Sequence, residues 1–179
     1  MTEIRSEPGH GTIDPLTAAS ITIAWVVALN KPFYPLYVWW LTGDGVASSP
    51  TAVVAAPFFA LVAVMGKRNP LAVRLGVPII GMIDTVLAGL FMGQASGTEL
   101  YFAPCMMLVA LNFHAREKWL QRGIAVAGFA AFALLHGQAP LIPLSWDATE
   151  TGMLLKLNLF SVASLMTFIA LRYAGVPRG

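Results

Sequence analysis

Val77 to Gly93 reads VPIIGMIDTVLAGLFMG. The stretch is apolar enough to lie in lipid, yet it carries one carboxylate, Asp84, near its middle. A lone Asp at bilayer depth costs on the order of 3 kcal/mol unless something pairs with it or water reaches it. On a helix, Val77, Gly81, Ala88 and Phe91 fall on or near the Asp84 side. Gly81, Thr85, Gly89 and Gly93 recur every four residues, so a neighbouring helix can approach closely beside the carboxylate. The stretch is therefore expected at the centre of a helical bundle, with the other helices covering Asp84.

Composition points the same way. The 179 residues are 57% hydrophobic and 11% charged, where a soluble domain carries about 25% charge. The apolar residues lie in long blocks, too long for barrel strands, which predicts an all-α integral membrane protein. The first 16 residues, MTEIRSEPGHGTIDPL, are polar and partly acidic and do not read as a secretory signal. The one cysteine, Cys105, excludes a disulfide framework and a CxxC metal site. The net charge of +2 is assigned to cytoplasmic loops, so nucleic acid is not an expected partner.

Six spans follow in order. Thr17 to Leu41 is the first, opened by the N-cap-like Asp14-Pro15 and interrupted at Asn30-Lys31-Pro32 and Pro35, where a kink or unwinding is expected. Ser49-Pro50 starts the second, which ends near Gly66. The third covers Leu71 to Gly93, with a kink expected at Pro78. The fourth covers Glu99 to Phe113, the fifth Trp119 to Leu135 after a charged turn at His114 to Lys118, and the sixth Thr151 to Tyr173 after the loop GQAPLIPLSWDATE. The expected organisation is thus a tail at 1–16, a six-helix domain at 17–173 and a tail at 174–179.

An even number of spans puts both tails on one side. Arg5, Lys67, Arg68, Arg74, Arg116, Lys118, Arg122, Arg172 and Arg178, nine of the eleven basic residues, fall on that side. The opposite loops hold Asp44, Glu99, Asp147 and Glu150 without Lys or Arg. The positive-inside rule then makes both tails cytoplasmic.

Lys31 and Lys156, the remaining basic residues, enter the outer half of the bundle with Asp84. Asn30, Tyr34, Tyr37, Tyr101, His136 and Asn158 project at comparable or shallower depth. One reading is a structural Lys31–Asp84 ion pair with Lys156 snorkelling outward. The other is a ligand pocket formed by Asn30, Lys31, Tyr34, Asp84, Tyr101, Lys156 and Asn158, because intramembrane charge points to a functional site. His114 and His136 stand about a membrane thickness apart and cannot ligate one iron. Cys105, Met106 and Met107 point around a helix rather than converging on a metal. No nucleophile–base pair, phosphate loop or HExxH motif is present. Neither enzymatic activity, nor a metal, nor a cofactor is expected.

Asn30-Lys31-Pro32-Phe33-Tyr34 with Tyr37-Val38-Trp39 resembles the six-helix membrane domains of bacterial signalling receptors, those preceding class III adenylate cyclases and quorum-sensing-type histidine kinases. Gly97 to Phe102, Arg116-Glu117-Lys118, Pro140 to Ser145 and Asn158-Leu159-Phe160 extend the resemblance over most of the membrane part. It implies a receptor-like module of the bacterial cytoplasmic membrane. In that family the sixth helix leads into a signalling helix and a catalytic domain, whereas only AGVPRG follows Tyr173 here. Lys31 also stands where the family more often has a neutral or imidazole side chain. Two functions follow as expectations. One is a sensor that binds a small lipophilic ligand in its outer half and acts on a partner. The other is an accessory subunit of a larger membrane complex, respiratory or photosynthetic for example. Partners beyond the bilayer are another membrane or membrane-associated protein, or a second copy of this chain.

Overall fold

The computed structural model describes residues 13–43, 51–141 and 146–176, and every regular element among them is helical. Arg5, His10, Asp44, the Ser49-Pro50 start, residues 142–145, Arg178 and most of both tails lie outside the described residues.

The expected central helix is α5, Pro70–Met92. Asn69 starts it, its side-chain oxygen accepting from the Ala72 amide at 3.1 Å, with Pro70 at the first helical position where a missing N–H costs nothing. Around it stand α1 (Pro15–Asn30), α3 (Thr51–Val54), α4 (Ala56–Met65), α6 (Phe102–Leu111) and α7 (Lys118–Leu135), each packed on α5. The glycine ladder works as expected. A Cβ at Gly81 would meet Cys105 Sγ of α6 at 2.7 Å, and one at Gly89 would meet Leu135 of α7 at 2.8 Å. Helix α8, Ala148–Tyr173, packs on α6 and on α2, Tyr34–Thr42.

Three helical segments are long and apolar enough to cross a membrane: Pro15–Thr42, Pro70–Met92 and Ala148–Tyr173. Ala56–Met65 and Thr98–Leu111 are shorter apolar helices. The first segment tightens into a 3₁₀ turn at Lys31–Phe33, with Pro32 in the turn and Pro35 just after it each removing a backbone donor. Asp14 caps α1 as its position implied, accepting from the Thr17 amide at 3.1 Å and hydroxyl at 2.9 Å. Helix α8 begins three residues earlier than expected. Asp147 and Glu150, read as loop residues, form a reciprocal capping box with bonds of 2.7 and 2.9 Å.

Arg74 requires a correction. Counted as a cytoplasmic-side loop charge, it is 5% exposed and bonds Glu117 through both terminal nitrogens, at 2.6 and 2.8 Å. The reason is one turn further on. Pro78 has no N–H to give the Arg74 carbonyl, and the fully buried Asn112 side-chain amide donates to that carbonyl at 3.0 Å instead. The Asn112 side-chain oxygen accepts from the Tyr173 hydroxyl and lies 3.1 Å from the Ser20 hydroxyl. The Asn112 carbonyl in turn accepts from Arg74 at 3.3 Å. Helices α1, α5, α6 and α8 and the 3₁₀ turn Ala115–Glu117 before α7 are thereby tied at one end. Both ends of the described chain lie there too, since Val176 packs on the cluster that contains Leu16.

Two outcomes are expected of this knot. Asn112→Leu leaves the Arg74 carbonyl without its donor and takes one acceptor from the Ser20 and Tyr173 hydroxyls, which keep each other and the Leu16 carbonyl. It should cost about 2–4 kcal/mol of unfolding free energy in detergent. In a Pro78→Ala background the residue-78 amide can satisfy Arg74, so Asn112→Leu should cost about 1 kcal/mol less there. Strictly additive losses in thermal or denaturant unfolding would contradict the account.

Acid should loosen the same end. At Glu117, burial pushes the pKa up, but the Arg74 guanidinium and the His114 amide outweigh it, and the net shift is downward. At Asp14, burial is likewise outweighed by the Thr17 hydroxyl and amide. A carboxylate lowered in the folded state stabilises above its unfolded pKa and loses that stabilisation as pH falls through the folded one. Stability should therefore fall below about pH 4.5, and less in Glu117→Gln, when followed by thermal unfolding across pH.

Candidate functional site

At the other half of α5, the helix-breaking turn at Lys31–Phe33 sets the Lys31 side chain against Asp84. Nζ donates to Oδ2 at 2.5 Å, with the side chains 13% and 16% exposed. Both ionic partners thus keep access to a space beside them. That space is a pocket of about 140 Å³, with Lys31 and Asp84 in its wall.

The pocket runs along α1 from Ile23 through Val27 to Lys31 and on to Tyr34. Residues at this spacing form one helical stripe, and the eight steps from Ile23 to Lys31 span about 12 Å. Val77, Gly81, Asp84, Thr85, Ala88 and Met92 of α5 form the opposite wall, as the phase of Asp84 implied; Phe91 does not line it. Tyr101, Pro104, Cys105 and Leu108 come from the fourth helical segment, Ser161 and Leu165 from α8. The two ends differ in chemistry. Ile23, Phe59, Val77, Leu108 and Leu165 make one end apolar, while Lys31, Asp84, Tyr34, Thr98 and Tyr101 make the other polar.

The surrounding polar groups hold the wall in place. The Tyr34 hydroxyl donates to the Asn158 side-chain oxygen at 2.9 Å, and the Asn158 amide donates to the Ser96 carbonyl at 2.7 Å. Tyr34 thereby joins the kinked segment to α8 and to the 3₁₀ turn Gln94–Ser96. The chain reverses after this turn through Gly97, whose φ of +77° suits glycine. Tyr101 and Ser161 face each other in the pocket wall, a second approach to α8.

Of the residues named from the sequence, Asn30, Lys31, Tyr34, Asp84 and Tyr101 line the pocket. Asn158 is fully buried behind Tyr34 and supports it. Lys156 is exposed and does not line the pocket. It sits two residues, about 200° of helical turn, from Asn158, on the opposite face of α8. Ser161 and Cys105 were missed. For Ser161 a signal existed, because Leu154, Asn158, Ser161 and Leu165 lie on one stripe of α8. Cys105, read as packing residue, is buried in the pocket wall against Gly81.

The histidines keep their separation: His114 lies 3.5 Å from Asp14 beside the start of α1, and His136 lies 3.2 Å from Glu99 before α6. Among the described residues no three His, Cys, Asp or Glu side chains converge. Comparison with protein-family models, curated proteins and solved structures finds no match to this chain.

Asp84→Leu takes its carboxylate partner from the Lys31 ammonium. For a fully buried pair the loss is about 3–5 kcal/mol; with this exposure about 2–3 kcal/mol is expected. The double variant Lys31→Met/Asp84→Leu should recover most of that loss. Detergent unfolding of the three proteins checks it, and a double variant worse than Asp84→Leu would refute the pairing energetics.

Proposed function

We propose that this chain is a non-catalytic six-helix module of the bacterial cytoplasmic membrane that binds a small lipophilic ligand in its outer half and acts through a partner protein. The pocket beside Lys31 and Asp84 carries this reading. A sensor needs a site whose contacts differ between two states, and the break at Lys31–Phe33 places such a site next to a 3₁₀ turn in the first apolar segment. The accessory-subunit reading calls instead for a sealed interior, and the pocket counts against it. The resemblance of Asn30 to Trp39 to bacterial receptor domains agrees with a ligand-binding role.

The six-pass topology has its own support. Both ends of the described chain lie at the Arg74 end, as an even number of crossings requires. Lys67, Arg68, Arg116 and Lys118 sit in the turns at that end, which the positive-inside rule makes cytoplasmic. A reporter fused after Gly179 should read cytoplasmic and one inserted in the 138–148 loop external; reporters on opposite sides of this assignment would overturn it.

Ligand binding is tested on protein purified gently from its native membrane. Mass spectrometry of the organic extract should find a small compound with the wild type that is absent from Ala88→Phe, where a ring fills the pocket. Identical extracts would sink the proposal.

A further inference from the structure

We infer that the ligand is a small neutral amphiphile, with a hydroxyl or carbonyl head at the Lys31–Asp84 pair, taken in sideways from the bilayer between α1 and α8. This rests on the ligand-binding reading above and adds the chemical class and the route. Three observations carry it.

The first is charge balance. Lys31 and Asp84 face each other at 2.5 Å and both line the pocket. The wall offers an N–H donor and a carboxylate acceptor with no net charge. A head that accepts from Lys31, donates to Asp84, or does both leaves the balance intact. A carboxylate or ammonium head adds one uncompensated charge at bilayer depth, which is costly. The nearby polar groups, Tyr34, Tyr101, Thr85 and Ser161, are neutral and equally suited to a neutral head.

Size is the second. A volume of about 140 Å³ is close to that of an apolar cavity known to take up benzene. It accommodates one ring or a chain of about six carbons, not a whole lipid. The apolar end at Ile23, Phe59, Val77, Leu108 and Leu165 receives that part while the head stays at the ion pair.

The third is the position of the mouth. A residue that lines a pocket and is also exposed marks its opening. Val26, 41% exposed, and Asn30, also exposed, fit that description, one helical turn apart and before the Pro32 kink. Ser161 and Leu165 of α8, both half-buried, stand on the pocket's α8 side. The opening lies midway along the apolar segment Pro15–Thr42 rather than at either of its ends. At that depth the medium is hydrocarbon, from which an amphiphile partitions and a hydrated ion does not. The remainder of a longer ligand trails out through the same gap.

The test uses the full chain in lipid nanodiscs and a hexan-1-ol carrying a chain diazirine as photolabel. Label should map to 81–88 of α5 or 102–108 of α6. Hexan-1-ol and cyclohexanol should compete at least tenfold more effectively than hexanoate or hexylammonium. Lys31→Met/Asp84→Leu should remove the advantage of hexan-1-ol over n-hexane as competitor, because no polar partner is left for the head, and Val26→Trp, which narrows the mouth without touching the pair, should slow labelling severalfold. If hexanoate or hexylammonium competes as well as hexan-1-ol, the neutral class is wrong while the pocket reading stands. If Val26→Trp labels at the wild-type rate, the lateral route is wrong. If no label enters the pocket, or Ala88→Phe labels like the wild type, the ligand-binding reading falls as well.

Discussion

Pro78 leaves the Arg74 carbonyl without a helical donor, and the architecture is arranged around how that debt is met. In an apolar bundle no water stands by to satisfy a stranded carbonyl, so a neighbouring helix must supply the bond. Asn112 does so, and its remaining oxygen then gathers Ser20 and Tyr173. Arg74, held in the same place, reaches Glu117 at the entrance to α7. A single helix-breaking residue thus fixes the mutual positions of four helices and the turn leading to a fifth. Each residue of the network has a partner, with Arg74 Nε the one buried atom of it left without one, and a network so nearly satisfied rigidifies rather than weakens a core.

The other half of the bundle solves a similar problem differently. Pro32 and Pro35 also remove donors, and across this break the chain takes a 3₁₀ turn. Lys31 is turned toward α5, and Tyr34 reaches Asn158. These links join pairs of elements rather than five segments at once. The consequence is mechanical: a fastened end at Arg74 and Asn112, and a half held by separable bonds around a pocket. A ligand that alters the Lys31–Asp84 contact would act on the second half while the first stays fixed.

The helix pattern was legible because hydrophobic length is a property of sequence alone. Each of the six apolar blocks became a helix or a broken pair of helices within a few residues of its expected bounds. Asp84 and Lys31 were legible because charge inside an apolar run has few explanations. Arg74 was misread because it stands four residues into a helix, close enough to Lys67 and Arg68 to look like one of the loop charges. Asn112, Ser20 and Tyr173 gave no signal at all; single polar residues near helix ends are ordinary, and their meaning depends on which helices meet. Lys156 could have been set aside from phase. Leu154, Asn158, Val162 and Ile169 define the buried stripe of α8, and Lys156 lies off it.

The Lys31–Asp84 pair is hard to account for by stability alone. A matched hydrophobic pair at the same depth would hold α1 to α5 as well or better, because desolvating two charges offsets much of their attraction. Arg74 and Glu117 escape this objection, since they form a bidentate contact at the bundle end with the Glu117 side chain partly exposed. Lys31 and Asp84 have one contact, midway along apolar helices, and a pocket beside it that a larger side chain at Gly81 or Ala88 would fill. The arrangement keeps both charges reachable from the pocket. A fold selected only for cohesion has no use for that, whereas one that reads a polar head group in an apolar medium does.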